Sequence, residues 1–263
     1  MKVNDINIYY EVHGDGTPLV MIMGLSANID WWNPVLLEAS SKNFKTIIFD
    51  NRGAGRSDAP DIEYSIKMFA DDTVGLMDAL DVEKAHVLGA SMGGMIAQEL
   101  VLNYPERVEK LVLCCTSCGG SKSIPPSPEV MELLMRDTKG LTQEEIARGV
   151  IPLLYTEEFI EGNPDYVEET VQNILKHLIQ EYALQRQIKA IMRFNTARRL
   201  KKINTSTLIV NGKKDILAPP QNAEVLAKLI PEAKLLLLDN SAHSLFQPEP
   251  EKLAKKILEF LKE

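Results

Sequence analysis

The chain predicts an α/β fold, a mostly parallel central sheet flanked by helices and interrupted by one helical insertion. Three observations carry that expectation. Short apolar runs at 18–23, 45–50, 85–88, 111–115, 207–211 and 234–238 have the length and continuous apolarity of strands buried on both faces. Helix-spaced stretches lie between them, as the crossover connections of a parallel sheet require. From 121 to 205 no convincing strand-like run occurs, and amphipathic helical patterns replace the alternation.

In chain order, residues 3–10 alternate in part and read as an opening strand. The runs at 18–23 and 45–50 end in glycine-containing loops. Residues 65–80 place Ile66, Phe69, Val74, Met77 and Leu80 near helical spacing, and two further buried strands follow, with a helical pattern over 95–100 between them. The stretch Ser123-Ile124-Pro125-Pro126-Ser127-Pro128 then breaks the pattern. Helices are expected over 129–136, 143–150, 165–179 and 181–193, interrupted at Pro152 and at Gly162-Asn163-Pro164. The sheet resumes at 206–210, with a helix over 221–229, a strand over 234–238 and a closing helix over 249–261. The expected division is a core of 1–120 and 200–263 with a helical lid of 121–199.

The chain has 263 residues, 45% of them hydrophobic, which is enough for a substantial buried core. Its formal charge of -8, from 37 acidic and 29 basic residues spread without long blocks, leaves no basic footprint for nucleic acid. No run approaches the roughly 20 apolar residues of a membrane span, and the N-terminus does not read as a secretory leader. Cys114, Cys115 and Cys118 are odd in number and crowded. They read as packed thiols rather than a disulfide framework or metal site, so the expectation is a cytoplasmic protein with no metal and no cofactor.

The chemistry-bearing motif is Gly89-Ala90-Ser91-Met92-Gly93, set between a strand-like run and a helical pattern. Small residues at both ends let the chain turn sharply from strand to helix and hold the Ser91 hydroxyl proud of the sheet, as a nucleophile elbow does. A serine hydroxyl is a poor nucleophile at neutral pH, so such a site needs a base and a group to orient the base. Of the four histidines, His13 sits in an early turn, His86 within a strand and His177 on a lid helix. His243 follows a strand and the loop Asp239-Asn240-Ser241-Ala242, where its side chain can swing over a sheet edge. Asp215 ends an earlier strand and gives the order Ser91, Asp215, His243 expected of this elbow. Asp239 competes for the acid role because it too ends a strand.

These landmarks resemble the α/β-hydrolase superfamily over nearly the full chain outside the lid. The matching residues are Met23-Gly24-Leu25, Asp50-Asn51-Arg52-Gly53-Ala54-Gly55-Arg56-Ser57, the elbow, Asn211-Gly212-Lys213-Lys214-Asp215 and Ala242-His243. The resemblance implies Ser91 as nucleophile, His243 as general base and then acid, and Asp215 as the residue orienting His243. It also implies backbone N–H groups of Leu25 and Met92 as oxyanion donors. The chain departs from the family pattern at Met23, where a histidine is usual, and at Ala242, where a glycine is usual.

The implied activity is that of a serine carboxylesterase acting on small, largely apolar esters, with a pocket edged by Leu25, Met92 and Trp31. The loop at Asp50-Asn51-Arg52-Gly53 is similar to that of enol-lactonase and esterase branches. Enol-lactone or C–C bond hydrolysis, and ligand sensing with slow turnover, are the alternatives on the same fold. Asp50 and Arg52 read as bracing for a glycine-rich loop, Trp32 and Met95 as packing, and His86 as a hydrogen-bonded strand histidine.

Overall fold

The computed structural model describes residues 1–263 except Asp137 and Pro248. Strand β1 (Lys2–Val3) and β2 (Ile6–Asn7) form a small hairpin, and β3 (Tyr10–His13) opens the main sheet. Then come β4 (Pro18–Ile22), α1 (Pro34–Ser41), β5 (Lys45–Phe49), α2 (Ile66–Ala79), β6 (Ala85–Ala90), α3 (Met92–Asn103) and β7 (Val108–Cys114). Five helices follow before the sheet resumes: α4 (Pro128–Leu134), α5 (Gln143–Leu154), α6 (Glu157–Gly162), α7 (Pro164–Lys176) and α8 (Glu181–Arg193). The chain closes with β8 (Thr207–Gly212), α9 (Gln221–Leu229), β9 (Lys234–Leu238) and α10 (Pro250–Lys262).

The seven-stranded sheet has the order β3-β5-β4-β6-β7-β8-β9, antiparallel only where β3 meets β5. Strand β4 is apolar at every position, and its neighbours β6 and β7 are largely so, because both faces of the sheet are covered. In β4, Val20 and Ile22 point into the core shared with α2, α3 and α9, while Leu19 and Met21 point into the core shared with α1 and α10. The same alternation divides Val87 from Leu88 in β6, and Leu111 and Leu113 from Val112 in β7. The carboxyl ends of β4, β6 and β8 therefore emerge on one rim, where ligands bind in open α/β sheets.

Two expectations are corrected. Residues 3–10 do not form one strand: Asn4 takes a left-handed conformation (φ 51°), and the chain folds back as the β1–β2 hairpin before β3 begins. Asparagine tolerates that region, and the partial alternation belongs to two strands meeting at a turn. Pro152 does not interrupt its helix. It lies inside α5, where packing of Ala147, Ile151 and Tyr155 against Val171 and Ile174 outweighs the one backbone bond proline cannot donate. Helix α6 was not anticipated; it is started by Thr156, whose side chain accepts from the Phe159 N–H.

The two ends of the insertion meet. Gly119 and Asn195 form an antiparallel bridge, and the Thr196 N–H donates to the Cys118 carbonyl at 2.9 Å. Trp31 packs against both the α1–α10 core and the insertion's own apolar cluster. No helix among the described residues is long and apolar enough to cross a membrane.

Candidate active site

Ser91 lies between β6 and α3 with φ 56° and ψ -118°, a left-handed conformation rare for a residue with a side chain. Close packing imposes it. A Cβ at Gly89 would come within 2.2 Å of the Gly93 carbonyl oxygen, and one at Gly93 within 2.0 Å of the Ile22 carbonyl oxygen. The elbow's backbone is tied to β7 and the loop after it: Ser91 N–H donates to Cys114 O at 2.9 Å, and the Thr116 hydroxyl donates to Ser91 O at 2.7 Å. Ser91 itself stays partly exposed.

Asp215 follows β8, and its side chain is fully buried. Its Oδ1 accepts the N–H groups of Leu217 and Ala218 at 2.9 and 2.8 Å, and its Oδ2 lies 2.9 Å from His243 Nδ1. A carboxylate oxygen accepts here, so the neutral ring that fits this contact is the tautomer with its proton on Nδ1 and its lone pair on Nε2. The two loops meet closely because Gly212 has no side chain; a Cβ there would lie 2.1 Å from Ser241 O. The His243 loop is held internally by the Ser241 hydroxyl donating to Leu245 O, and from the insertion by Ser244 N–H donating to Leu154 O at 2.9 Å.

The loop after β4 packs onto Ser91. A Cβ on Gly24 would be 3.0 Å from Ser91 Cβ and 3.5 Å from its Oγ. Asn51 Nδ2 donates to Met23 O at 2.9 Å, so bracing at the position where a histidine was expected comes through the Met23 backbone. Leu25 N–H and Met92 N–H donate to no partner among the described residues. The Met92 side chain is buried in the α2–α3–α9 core, which corrects its placement on the pocket edge.

The remaining candidates have other partners. Asp239 is exposed and held by Lys213 at 2.6 Å, which keeps its carboxyl below the usual range. His13 pairs with Glu11 on β3, and His177 ends α7. His86 is buried edge-on to Phe44, and its Nδ1 has no partner, so it is not the hydrogen-bonded strand residue expected. Asp50 braces its loop by accepting Ile29 N–H and Arg56 N–H, each at 2.8 Å, although burial pushes its carboxyl up. Arg52 is buried between Asp72 and Asp5. Cys114, Cys115 and Cys118 are free and buried, and burial pushes the Cys114 thiol up to about 12.

A cavity of about 320 Å³ opens between the insertion and the His243 loop, lined in part by Tyr155, Phe159, Lys214, Ala242 and Ser244. A larger one of about 430 Å³ lies between β9 and α10; it is lined in part by Asp239 and by none of Ser91, Asp215 and His243. Sequence reasoning missed Thr116, Asn51 as a brace for Met23, and Gln187, whose amide bonds Ser26 and Arg52 from α8. Only the Asp50-Asn51-Arg52 landmark gave any signal for these.

A family profile described as alpha/beta hydrolase fold matches residues 17–149. A putative carbamate hydrolase, RutD, of Azorhizobium caulinodans is 30% identical over 256 residues, covering 97% of this chain and 95% of that protein. The crystal structure of the enol-lactonase from Burkholderia xenovorans LB400 superposes with a TM-score of 0.86 at 26% identity, covering 99% of this chain and 98% of that one. A thermophilic esterase from Thermogutta terrifontis gives a TM-score of 0.82 at 27% identity, over 98% and 93% of the two chains. By fold, profile and relatives alike, the chain belongs to the α/β-hydrolase fold family and is a hydrolase.

Proposed function

We propose that the chain hydrolyses carboxylic esters of small, largely apolar substrates through an acyl-enzyme on Ser91. The observation that carries this reading is the pairing of a strained, partly exposed Ser91 with two unpartnered backbone N–H groups, Leu25 and Met92, beside it. Ser91 Oγ attacks the ester carbonyl while His243 Nε2 accepts its proton, and Asp215 holds His243 with Nδ1 protonated. The carbonyl oxygen, as it becomes anionic, takes the Leu25 and Met92 N–H groups, each worth about 3 to 4 kcal/mol in comparable sites. His243 returns the proton to the departing alkoxide, and a water activated by the same imidazole releases the acid. No metal or cofactor is called for in any of these steps.

The apolar preference is supported by Leu25, which follows the Gly24 that packs on Ser91, and by Tyr155 and Phe159 in the cavity beside the His243 loop. An enol-lactone is the second substrate class, favoured by the full-length likeness to an enol-lactonase. A lactone is a cyclic ester, so the same acyl-enzyme forms with the leaving alcohol still tethered. A panel of p-nitrophenyl esters from acetyl to long acyl chains, with enol-lactones alongside, tests the reading on the parent and on Ser91→Ala. Turnover that collapses in Ser91→Ala is expected. Undiminished hydrolysis in that variant contradicts the mechanism, and preference for the lactones selects the second class.

A further inference from the structure

Gln187 sits on α8 with none of its surface exposed. A buried primary amide is costly unless its polar atoms are paired. Its two pairings reach loops far away in the chain. Oε1 accepts the Ser26 N–H at 2.8 Å, and Nε2 donates to the Arg52 carbonyl at 3.0 Å. Ser26 is left-handed, with φ 60°, a conformation that strains a non-glycine residue unless its surroundings hold it.

The loop bearing the Leu25 N–H is thus pinned on both sides. Asn51 Nδ2 holds the Met23 carbonyl, which fixes the peptide between Met23 and Gly24. Gln187 Oε1 holds the Ser26 N–H, which fixes the peptide between Leu25 and Ser26. Between them lies the peptide that carries the Leu25 N–H, next to a glycine that by itself permits the peptide to rotate. The ring closes through adjacent residues, since Asn51 precedes Arg52, and Arg52 is anchored by Asp72 and Asp5.

The geometry points to Gln187 as a positioning residue that keeps the Leu25 N–H turned toward Ser91, so that helix α8 of the insertion completes the oxyanion site of the core. This rests on the reading of Leu25 as an oxyanion donor. A primary amide suits the role because it accepts from an N–H and donates to a carbonyl at one side-chain end. An ionised carboxylate at this position accepts only, and it faces the Arg52 carbonyl unfavourably.

The test compares the parent, Gln187→Met and Gln187→Glu, with p-nitrophenyl acetate as substrate, circular dichroism as a check of folding, and fluorophosphonate labelling of Ser91. Gln187→Met is expected to lower kcat about 10- to 100-fold with KM within about threefold, because the loss falls on the transition state. In Gln187→Glu, burial raises the new carboxyl's pKa, and its protonated form recovers a donor for Arg52. The ratio of its kcat to the parent's is therefore expected to rise at least about fivefold between about pH 8.5 and about pH 6, a response that a purely structural role would not give. Should Gln187→Met not fold, the pH ratio in Gln187→Glu decides. Parent-like kcat in Gln187→Met, or a ratio in Gln187→Glu that does not move with pH, overturns the proposal while leaving Ser91 chemistry intact. A parent that neither turns over esters nor labels at Ser91 overturns the functional reading, and the role of Gln187 with it.

Discussion

Asp215 divides its carboxylate between its own loop and His243, with Oδ1 on the Leu217 and Ala218 N–H groups and Oδ2 2.9 Å from His243 Nδ1. The backbone bonds fix the carboxylate before the imidazole reaches it, so the ring's orientation is set by the β8 loop. Asp215→Asn preserves this geometry in part, since the amide oxygen can still accept from both N–H groups. Its NH₂ then faces Nδ1 as a donor and forces the proton onto Nε2, the wrong tautomer for a base. The expected result is a folded protein with kcat lowered about 10⁴-fold in steady-state ester hydrolysis. Asp239→Asn, which removes only a surface pair with Lys213, is expected to keep kcat within about twofold. A larger loss in Asp239→Asn than in Asp215→Asn would reverse the acid assignment.

The strain at Ser91 has a stability signature separate from catalysis. Alanine keeps a Cβ in the left-handed conformation at φ 56°, whereas glycine enters it freely. Ser91→Gly is therefore expected to be about 1 kcal/mol more stable than Ser91→Ala by urea denaturation, with both inactive. Equal midpoints and slopes would show that the elbow is not strained.

His86 gives the fold a pH dependence. Burial pushes its pKa below the usual value, with Lys110 and Lys84 acting in the same direction. The unfolded chain takes up this proton near pH 6.5, while the folded protein resists it. Between those two values the unfolded state binds more protons, so this contribution to stability is present above about pH 6.5 and is lost as pH falls toward the folded pKa. His86→Met has no such proton to take up. Its thermal midpoint is expected to fall less than the parent's between about pH 7.5 and about pH 5.5, and parallel falls would remove His86 from the account.

Much of this architecture is legible in the amino-acid order because local chemistry and tertiary burial agree there. The strands at β4, β5, β8 and β9 are continuous apolar runs bounded by turns, and Ser65 caps α2 where the helical spacing begins. Asp215 and His243 are legible as residues just beyond strand ends, and the structure brings them together. The chain's opening is less legible, since one left-handed Asn4 decides between a single strand and a hairpin. Pro152 misleads because the packing of α5 on α7 outweighs a local helix breaker. Gln187 leaves no trace: between Arg186 and Ile188 it reads as one more polar position on an amphipathic helix, and its partners lie 161 and 135 residues away.

The central claim is that Ser91 carries the acyl group. Rapid mixing with a p-nitrophenyl ester, acid quench and peptide mass mapping test it most directly, with Ser91→Ala as control. The account predicts a burst of p-nitrophenol in the parent, with the acyl mass on the peptide containing Ser91, and neither in the variant. An acyl group on another residue, or a burst that survives in Ser91→Ala, would contradict it.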